Sequence, residues 1–288
     1  MKSETPLFSF TVISDIQLTN ENELSHQKLA HALQDLYELD KNSSALIMNG
    51  DLVADGQKQS YEKLSEVLES CPHPQEMYFT IGNHEFFQND GNVPSIQRFL
   101  EFSKLDKVYY ERKIAGHPFI FLGSESWGPV GTITKDSAVL SEEQLDWLSE
   151  RMEEHRQGDK PVFVFLHQPL PYSLYGTDLL EYYQKGIIQN DELKNILSGI
   201  DNVFYFSGHS HFDLRFPNSI VVKEPFTMIN TGAIYDIWGP DGEGHEKVID
   251  SIGSQGLYLQ VYTDKVVIKG RDFTKKQWIA EYQHSIPL

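Results

Sequence analysis

The chain has 288 residues and a formal net charge of −18 at pH 7, with 24 Lys and Arg against 42 Asp and Glu. Because nucleic-acid backbones are held chiefly by Lys and Arg, this balance argues against stable nucleic-acid binding. The hydrophobic fraction of 40% is typical of a globular protein with a sizeable core. A single cysteine, Cys71, excludes an internal disulfide and a cysteine-rich zinc site.

Five short apolar runs alternate with helical patterns, and each has the length of a strand buried on both faces. They cover residues 7–13, 45–48, 77–81, 162–166 and 203–206. Leucines at helical spacing between the first two runs predict a helix there. Ser141, with Gln144 three residues later, predicts the start of another. Strands that alternate with helices indicate βαβ units.

Two further regions have the spacing of β-hairpins, one within residues 108–122 and one near residues 256–270. We therefore predict an α/β fold of two packed, mixed sheets with helices outside. No linker or repeat divides the chain, so residues 1–288 are predicted to form one domain with a C-terminal β-hairpin near 256–270. The polar start precedes only a strand-length apolar run, which predicts neither a signal peptide nor a membrane span. We expect a cytoplasmic protein.

Each of the five buried runs is followed at once by residues of metal-ligating type. Ligand sites in α/β sheets collect at the carboxyl ends of strands, so these side chains are expected to converge although they are far apart in sequence. Glycines at three of the strand ends would allow sharp turns and a close backbone approach. The candidate ligands are Asp15, Gln17, Asp51, Asn83, His167, His209 and His211.

This ligand set is larger than one ion usually takes from protein, which favours two ions that share a carboxylate. His209 and His211 are two residues apart, so in an extended segment their side chains would diverge toward two neighbouring ions. All the donors are oxygen or imidazole nitrogen, which suits manganese, iron or zinc. The sequence therefore predicts a binuclear metal site.

The ordered series Asp-x-Gln, Gly-Asp, Gly-Asn-His-Glu, His and Gly-His-Ser-His resembles the motifs of the calcineurin-like metallophosphoesterase superfamily, over about residues 8–232. The resemblance implies a four-layer αββα sandwich, in agreement with the packed sheets predicted above. It implies one metal held by Asp15, Gln17, Asp51 and His211, and a second held by Asp51, Asn83, His167 and His209. Asp51 would bridge the ions, and a hydroxide between them would attack phosphorus.

The resemblance also assigns His84 as a non-ligand histidine that binds substrate beside Asn83 and protonates the leaving oxygen. Gln17 departs from the family's usual histidine. The Asp-x-Gln form resembles manganese-dependent members that split nucleoside-diphosphate derivatives such as ADP-ribose. We therefore expect two divalent transition-metal ions, with manganese ahead of iron or zinc. Asp55 stands where the protein Ser/Thr phosphatases carry a phosphate-binding arginine, which disfavours a phosphoprotein substrate.

These features predict a hydrolase of diester, monoester or pyrophosphate bonds in a small phosphorylated substrate such as a nucleotide. Tyr175 and Tyr235 lie in loops rich in aromatic residues and are candidates for stacking on a base. A nuclease and a catalytically inactive interaction scaffold of the same fold are the alternatives. The net charge counts against the nuclease, and the nearly complete ligand set counts against the scaffold. The sequence leaves the oligomeric state open.

Overall fold

The computed structural model describes residues 5–127, 136–223 and 226–285. The strands are β1 Phe8–Ile13, β2 Leu46–Asn49, β3 Met77–Thr80, β4 Tyr110–Ile114, β5 His117–Phe121, β6 Val162–Phe165, β7 Val203–Ser207, β8 Ile220–Lys223, β9 Phe226–Asn230, β10 Ile237–Pro240, β11 Glu246–Asp250, β12 Gln255–Val261, β13 Lys265–Asp272 and β14 Gln277–Ser285. The helices are α1 Glu23–Leu39, α2 Lys58–Ser70, α3 Asn92–Ser103, α4 Glu142–His155, α5 Glu181–Gln184 and α6 Asn190–Leu197, with a 3-10 turn at His84–Phe86.

Two six-stranded sheets make up most of the fold, in the orders β14-β13-β12-β1-β2-β3 and β4-β5-β6-β7-β9-β8. The central strands are parallel, β1 to β3 in the first sheet and β5, β6, β7 and β9 in the second. The outer strands pair antiparallel, including the predicted hairpins β4–β5 and β12–β13. Both sheets are therefore mixed, as predicted, and the five predicted buried strands are β1, β2, β3, β6 and β7.

Three apolar layers alternate with the sheets and helices. Phenylalanines that alternate along the central strands, such as Phe10 and Phe163 with ring centroids 5.1 Å apart, fill the space between the two sheets. Leu33 of α1 and Leu64 of α2 pack on the outer face of the first sheet. Leu148 of α4 and residues of α6 cover the outer face of the second sheet. This is the four-layer αββα sandwich.

The starts of the two predicted helices show how the sequence sets their ends. Asn22 caps α1, since its side-chain oxygen accepts a hydrogen bond from Leu24 N at 3.1 Å. Ser141 caps α4 by accepting from Gln144 N at 3.2 Å. The Gln144 amide does not return to Ser141 but donates to the carbonyl of Gly123 at 2.9 Å. Ser141 therefore acts as the predicted cap, whereas Gln144 connects α4 to the residues that follow β5.

A buried ion pair joins the C-terminal strands to the first helix. Arg271 on β13 donates two hydrogen bonds to the carboxylate of Asp35 on α1, at 2.7 and 2.9 Å. Both side chains are buried, so breaking the pair would leave an uncompensated charge inside the protein. This contact supports a single domain, which stays a prediction.

None of the helices in the described ranges has the length and hydropathy that a membrane-spanning helix requires.

Candidate metal centre

The predicted ligands lie just beyond the carboxyl ends of strands from both sheets. Asp15 follows β1, Asp51 follows β2, Asn83 follows β3, His167 follows β6, and His209 and His211 follow β7. Because the two sheets pack face to face, the ends of their parallel strands meet at one edge. All six residues are buried.

Two clusters of ligand-type side chains form there, and they share one carboxylate. The first contains Asp15, Asp51 and His211, and the second contains Asp51, His167 and His209. In each cluster one ligand atom per residue lies within 4.8 Å of the others. His211 Nε2 is 3.1 Å from Asp15 Oδ1, and His167 Nε2 is 3.1 Å from Asp51 Oδ2. Each cluster contains three of the four residues in one of the ligand sets that the family resemblance implied, and the ligand roles stay predictions.

The two amide side chains of the predicted set border the same clusters. Asn83 is buried, and its Oδ1 has no hydrogen-bond partner among the described residues, while its Nδ2 donates to Asp136 at 3.4 Å. Gln17 lies with Nε2 3.0 Å from His211 Nε2 and 3.3 Å from His84 Nε2. Rotating the Gln17 amide by 180° would place Oε1 where Nε2 now lies, near His211 Nε2, because the two amide orientations have nearly the same shape.

The backbone carries the ligands in a conformation that the sequence analysis did not anticipate. His209 and His211 have φ values of 67° and 55°, so the segment is left-handed and not extended as expected. Asp15, Gln17 and Asp51 are also left-handed, with φ of 50°, 44° and 50°. This conformation is unfavourable for side chains with a Cβ and clusters at functional sites. His209 and His211 therefore reach different clusters from left-handed backbone positions and not from an extended segment.

Hydrogen bonds to backbone carbonyls fix two of the histidine rings. His167 Nδ1 donates to the carbonyl of Asn49 at 2.8 Å, and His211 Nδ1 donates to the carbonyl of Asp236 at 2.9 Å. With Nδ1 bonded in this way, Nε2 is the ring atom that faces the centre. Both rings therefore have the orientation that a metal ligand requires, and loss of the proton on Nε2 would free that atom to bind a metal.

Asn49, at the end of β2, joins the two sheets directly beneath the centre. Its Nδ2 donates to the carbonyls of Leu166 and Phe206, both at 3.3 Å, and its Oδ1 accepts from Thr80 Oγ1 at 2.9 Å. The sequence pattern does not mark Asn49 as part of the site. Its only signal was an amide at the end of an otherwise apolar run.

Glu85 organises the loop that carries the shared carboxylate. It is fully buried and accepts hydrogen bonds from the backbone N–H groups of Asp51, Leu52 and Val53, at 3.1, 2.8 and 3.2 Å, and from that of Gly82. These donors would otherwise be buried without partners, at a cost of about 1–3 kcal/mol each. Glu85 therefore holds the β2 and β3 loops together.

The three predicted turn glycines are required by close contacts. A Cβ on Gly82 would overlap the Asp51 carboxylate, and one on Gly208 would overlap the Asp15 carboxylate. Gly50 has a φ of 81°, and a Cβ there would overlap the His167 ring. Each glycine thus makes room for a ligand from a different strand.

Burial and mutual charge set the protonation of the cluster. Burial, reinforced by the nearby His167, lowers the pKa of His209 to about 3. Burial opposes ionisation of Asp51, but His167 and His84 hold its pKa well below its usual range. Burial likewise disfavours the charge of His167, but Asp51 and Asp15 raise its pKa to about 10. The carboxylates are therefore ionised, and His209 is a neutral imidazole with a lone pair to donate.

Two lone pairs at the centre have no hydrogen-bond partner in the described part of the chain. They belong to His209 Nε2 and Asn83 Oδ1, which are both buried. Buried polar atoms are rarely left unpaired, because no hydrogen bond then offsets the free-energy cost of removing them from water. Both are donor atoms suited to a divalent transition metal, and His209 lies in the cluster that contains the ionised Asp51. The residues present therefore fit a pair of cations.

An open cavity of about 350 Å³ leads to the clusters. Its described lining is Gln17, Asp51, Asn83, His84, Phe87, Asp136, Tyr182, Tyr183, His209, Ser210, His211, Trp238 and Glu246. Tyr175 does not line it, because its ring is stacked on Phe216 with centroids 4.6 Å apart. Tyr235 does not line it either, since its hydroxyl accepts from Asn22 at 2.8 Å. The aromatic residues that do line it are Phe87, Tyr182, Tyr183 and Trp238.

His84 faces the cavity beside the shared carboxylate. Its Nδ1 donates to the carbonyl of Ala54 at 2.9 Å, and its ring lies against Phe87 with centroids 4.0 Å apart. Its Nε2 lies 3.7 Å from Asp51 Oδ2, and 23% of the side chain is exposed. His84 therefore presents Nε2 to a molecule in the cavity and belongs to neither ligand cluster.

Comparisons with known proteins agree with this geometry. The family model described as calcineurin-like phosphoesterase matches residues 8–213. A search of curated proteins found no match. A dimetal phosphatase from Danio rerio has a similar structure, with a TM-score of 0.70 and 16% identity over 98% of this chain and 100% of that one. A purple acid phosphatase from yellow lupin (Lupinus luteus) seeds has a TM-score of 0.64 and 12% identity, over 96% of this chain and 53% of its own.

The fold is also similar to that of GAP50, the anchor in the inner membrane complex of Plasmodium, with a TM-score of 0.59 and 14% identity over 98% of this chain and 89% of that one. At these identities the solved structures establish the fold, whereas the family match covers well over half of the chain. Together with the two carboxylate-sharing clusters, that match makes the protein a binuclear, metal-dependent phosphoesterase. The chain belongs to the calcineurin-like phosphoesterase family.

Proposed function

We propose that the protein hydrolyses a phosphoester bond, in a diester, monoester or pyrophosphate, of a small molecule. The observation that carries this proposal is the pair of ligand clusters that share Asp51 at the base of one open cavity. Asp15, Gln17, Asp51 and His211 would hold one divalent ion, and Asp51, Asn83, His167 and His209 would hold the other. When bound, such ions neutralise phosphoryl oxygens and lower the pKa of water.

The chain's own residues position the reacting groups. The hydrogen bond from Asn83 Nδ2 to Asp136 sets the Asn83 amide so that Oδ1 faces the centre. The bond from His84 Nδ1 to Ala54 holds the imidazole with Nε2 in the cavity. A proton on Nε2 can pass from there to the leaving oxygen, and Nε2 lies 3.7 Å from the Asp51 carboxylate. His84 is therefore proposed as the general acid.

The alternatives explain less of the structure. No Lys or Arg is among the described residues that line the cavity, so a nuclease would lack the groups that hold a nucleic-acid backbone. An interaction scaffold would have no use for left-handed ligand residues and the unpaired His209 imidazole nitrogen at the base of a cavity. We retain a cytoplasmic location and a single domain as parts of the proposal.

The proposal is tested by an activity screen with added Mn²⁺ and with a chelator. The substrates are bis-p-nitrophenyl phosphate, p-nitrophenyl phosphate, cyclic nucleotides and ADP-ribose. We expect hydrolysis of at least one class with Mn²⁺ and none after chelation. A folded protein that is inactive on every class with Mn²⁺, Fe²⁺ and Zn²⁺ would support the scaffold instead.

We predict that Gln17→His changes the metal preference of the enzyme. An amide oxygen is a harder donor than imidazole, so the natural site should favour Mn²⁺, and histidine should favour Fe²⁺ or Zn²⁺. We expect Zn²⁺ affinity to rise by on the order of 10-fold, the lower end of the effect of altering a metal's surroundings. Zn²⁺ and Mn²⁺ titrations of both proteins measure the change, with the exposed Gln57→His as the matched control. Identical metal profiles would place Gln17 outside the coordination shell.

A further inference from the structure

One wall of the cavity, formed by Glu246, Trp238, Tyr182 and Tyr183, contains no residue of the metal clusters. Glu246 lies on β11, outside the 8–213 span of the family match. Glu246 accepts a hydrogen bond from the hydroxyl of Tyr183 at 2.6 Å. The Tyr183 ring lies 5.6 Å from the ring of His209. One tyrosine therefore separates the Glu246 carboxylate from the second cluster.

Trp238 on β10 completes this wall, and the backbone fixes its position. Trp238 N donates to the carbonyl of His211 at 2.9 Å, and its own carbonyl accepts from Asp213 N at 3.1 Å. Its ring lies 5.8 Å from the His211 ring. Since β10 pairs with β11, the same hairpin places Trp238 and Glu246 at the cavity. These backbone hydrogen bonds therefore fix the position of the wall relative to the loop that carries His209 and His211.

Glu246 has no cationic partner among the described residues. Burial raises its pKa to about 7, and no neighbouring positive charge offsets that effect. The cavity's described lining contains Asp136 as well but no Lys or Arg. A half-buried carboxylate that lines the same cavity as the rings of Trp238 and Tyr182 is a favourable environment for a cation, through charge-assisted hydrogen bonds and cation–π attraction. A second anionic group would be repelled there.

We propose that Glu246, Trp238 and Tyr182 bind the organic part of the substrate through a positively charged, N–H-donating group, and select against organic parts with further negative charge. The proposal rests on the proposed function, because the phosphoryl group is taken to lie at the metal clusters. It predicts esters of amino alcohols as better ligands than compounds with a second phosphate or a carboxylate.

Alkyl phosphonates test this without depending on how fast a substrate reacts. The single arm of a phosphonate bound at the clusters can extend only into the cavity. The matched set is 2-aminoethylphosphonate, propylphosphonate and 3-phosphonopropionate, together with the analogues that have one more methylene. Each is tested at pH 8 as an inhibitor of p-nitrophenyl ester hydrolysis by the Mn²⁺-loaded enzyme, since Glu246 is mainly ionised at that pH.

Among inhibitors with arms of equal length, we expect the Ki of the ammonium compound to be about 10-fold or more below that of the carboxylate. The Ki of the alkyl compound should lie between these two values. Glu246→Gln should remove most of this ratio while hydrolysis continues. Glu243→Gln, on the exposed tip of the same hairpin, should leave the ratio unchanged.

The outcomes separate the two proposals. Absence of hydrolysis in every assay would remove the proposed function itself. Hydrolysis with equal inhibition by all charge types, or with stronger inhibition by the carboxylates, would overturn the assignment of this wall and leave the phosphoesterase intact. Retention of the full ratio in Glu246→Gln would overturn that assignment as well. The comparison among inhibitors of the natural enzyme decides the question even if Glu246→Gln fails to fold.

Discussion

Asp51→Asn is expected to abolish function at both metal positions together. Asp51 is the one residue common to both ligand clusters, and it is a fully buried, ionised carboxylate. An amide removes one charge and one ligand oxygen from both clusters. Activity should fall at least about 100-fold, the upper end of the effect of changing only a ligand's partner. Mn²⁺ calorimetry and steady-state kinetics measure the two losses.

The fold should survive this substitution. Asp51 Oδ1 accepts a hydrogen bond from His84 N at 2.9 Å, and an asparagine oxygen can accept the same bond. Asp55→Asn is the matched control, because Asp55 lies in the same loop and outside both clusters. A variant that still bound two Mn²⁺ ions with natural affinity would show that Asp51 is not shared.

His84→Ala is expected to separate metal binding from turnover. His84 belongs to neither cluster, so the variant should bind Mn²⁺ as the natural protein does. Its Nε2 is the proton donor proposed for the leaving oxygen, and loss of a general acid costs typically about 10²–10⁴ in rate. The decrease should be in kcat more than in KM and should be smallest for p-nitrophenolate, which needs little protonation on departure.

The control for His84 is His31→Ala, which removes an exposed histidine from α1. It should leave both metal binding and kcat unchanged. Loss of Mn²⁺ binding in His84→Ala would contradict the division of roles and make His84 a ligand. An equal loss of rate for good and poor leaving groups would contradict the role of acid.

The sequence predicted the strands and the ligand-type residues because both signals are local. Each buried strand is a short apolar run, and its first polar residues follow directly, as with Asp51 after β2 and His167 after β6. Parallel strand ends lie at one edge of a sheet, so listing these residues was enough to anticipate their convergence. Their metal-binding and catalytic roles stay predictions until metal is measured.

The substrate end of the cavity was not predictable in the same way. Tyr183 and Glu246 are 63 residues apart and meet only because β10 and β11 fold over the ligand loop. Tyr175 has the same aromatic context in sequence as Tyr182, yet it packs on Phe216. Nothing local distinguishes a ring that lines a cavity from one that packs on a neighbour. The left-handed turns at His209 and His211 were likewise invisible, since neither residue type requires them.

The most direct test of a binuclear centre is the number of metal ions that the chain binds. The metal-stripped protein is titrated with Mn²⁺ by calorimetry, and the metal retained after gel filtration is measured by elemental analysis. We predict two ions per chain, with protons released as they displace those held by the buried histidines. A stoichiometry near zero for the folded protein would contradict the binuclear centre, and a single ion unaffected by Asp51→Asn would contradict the shared carboxylate.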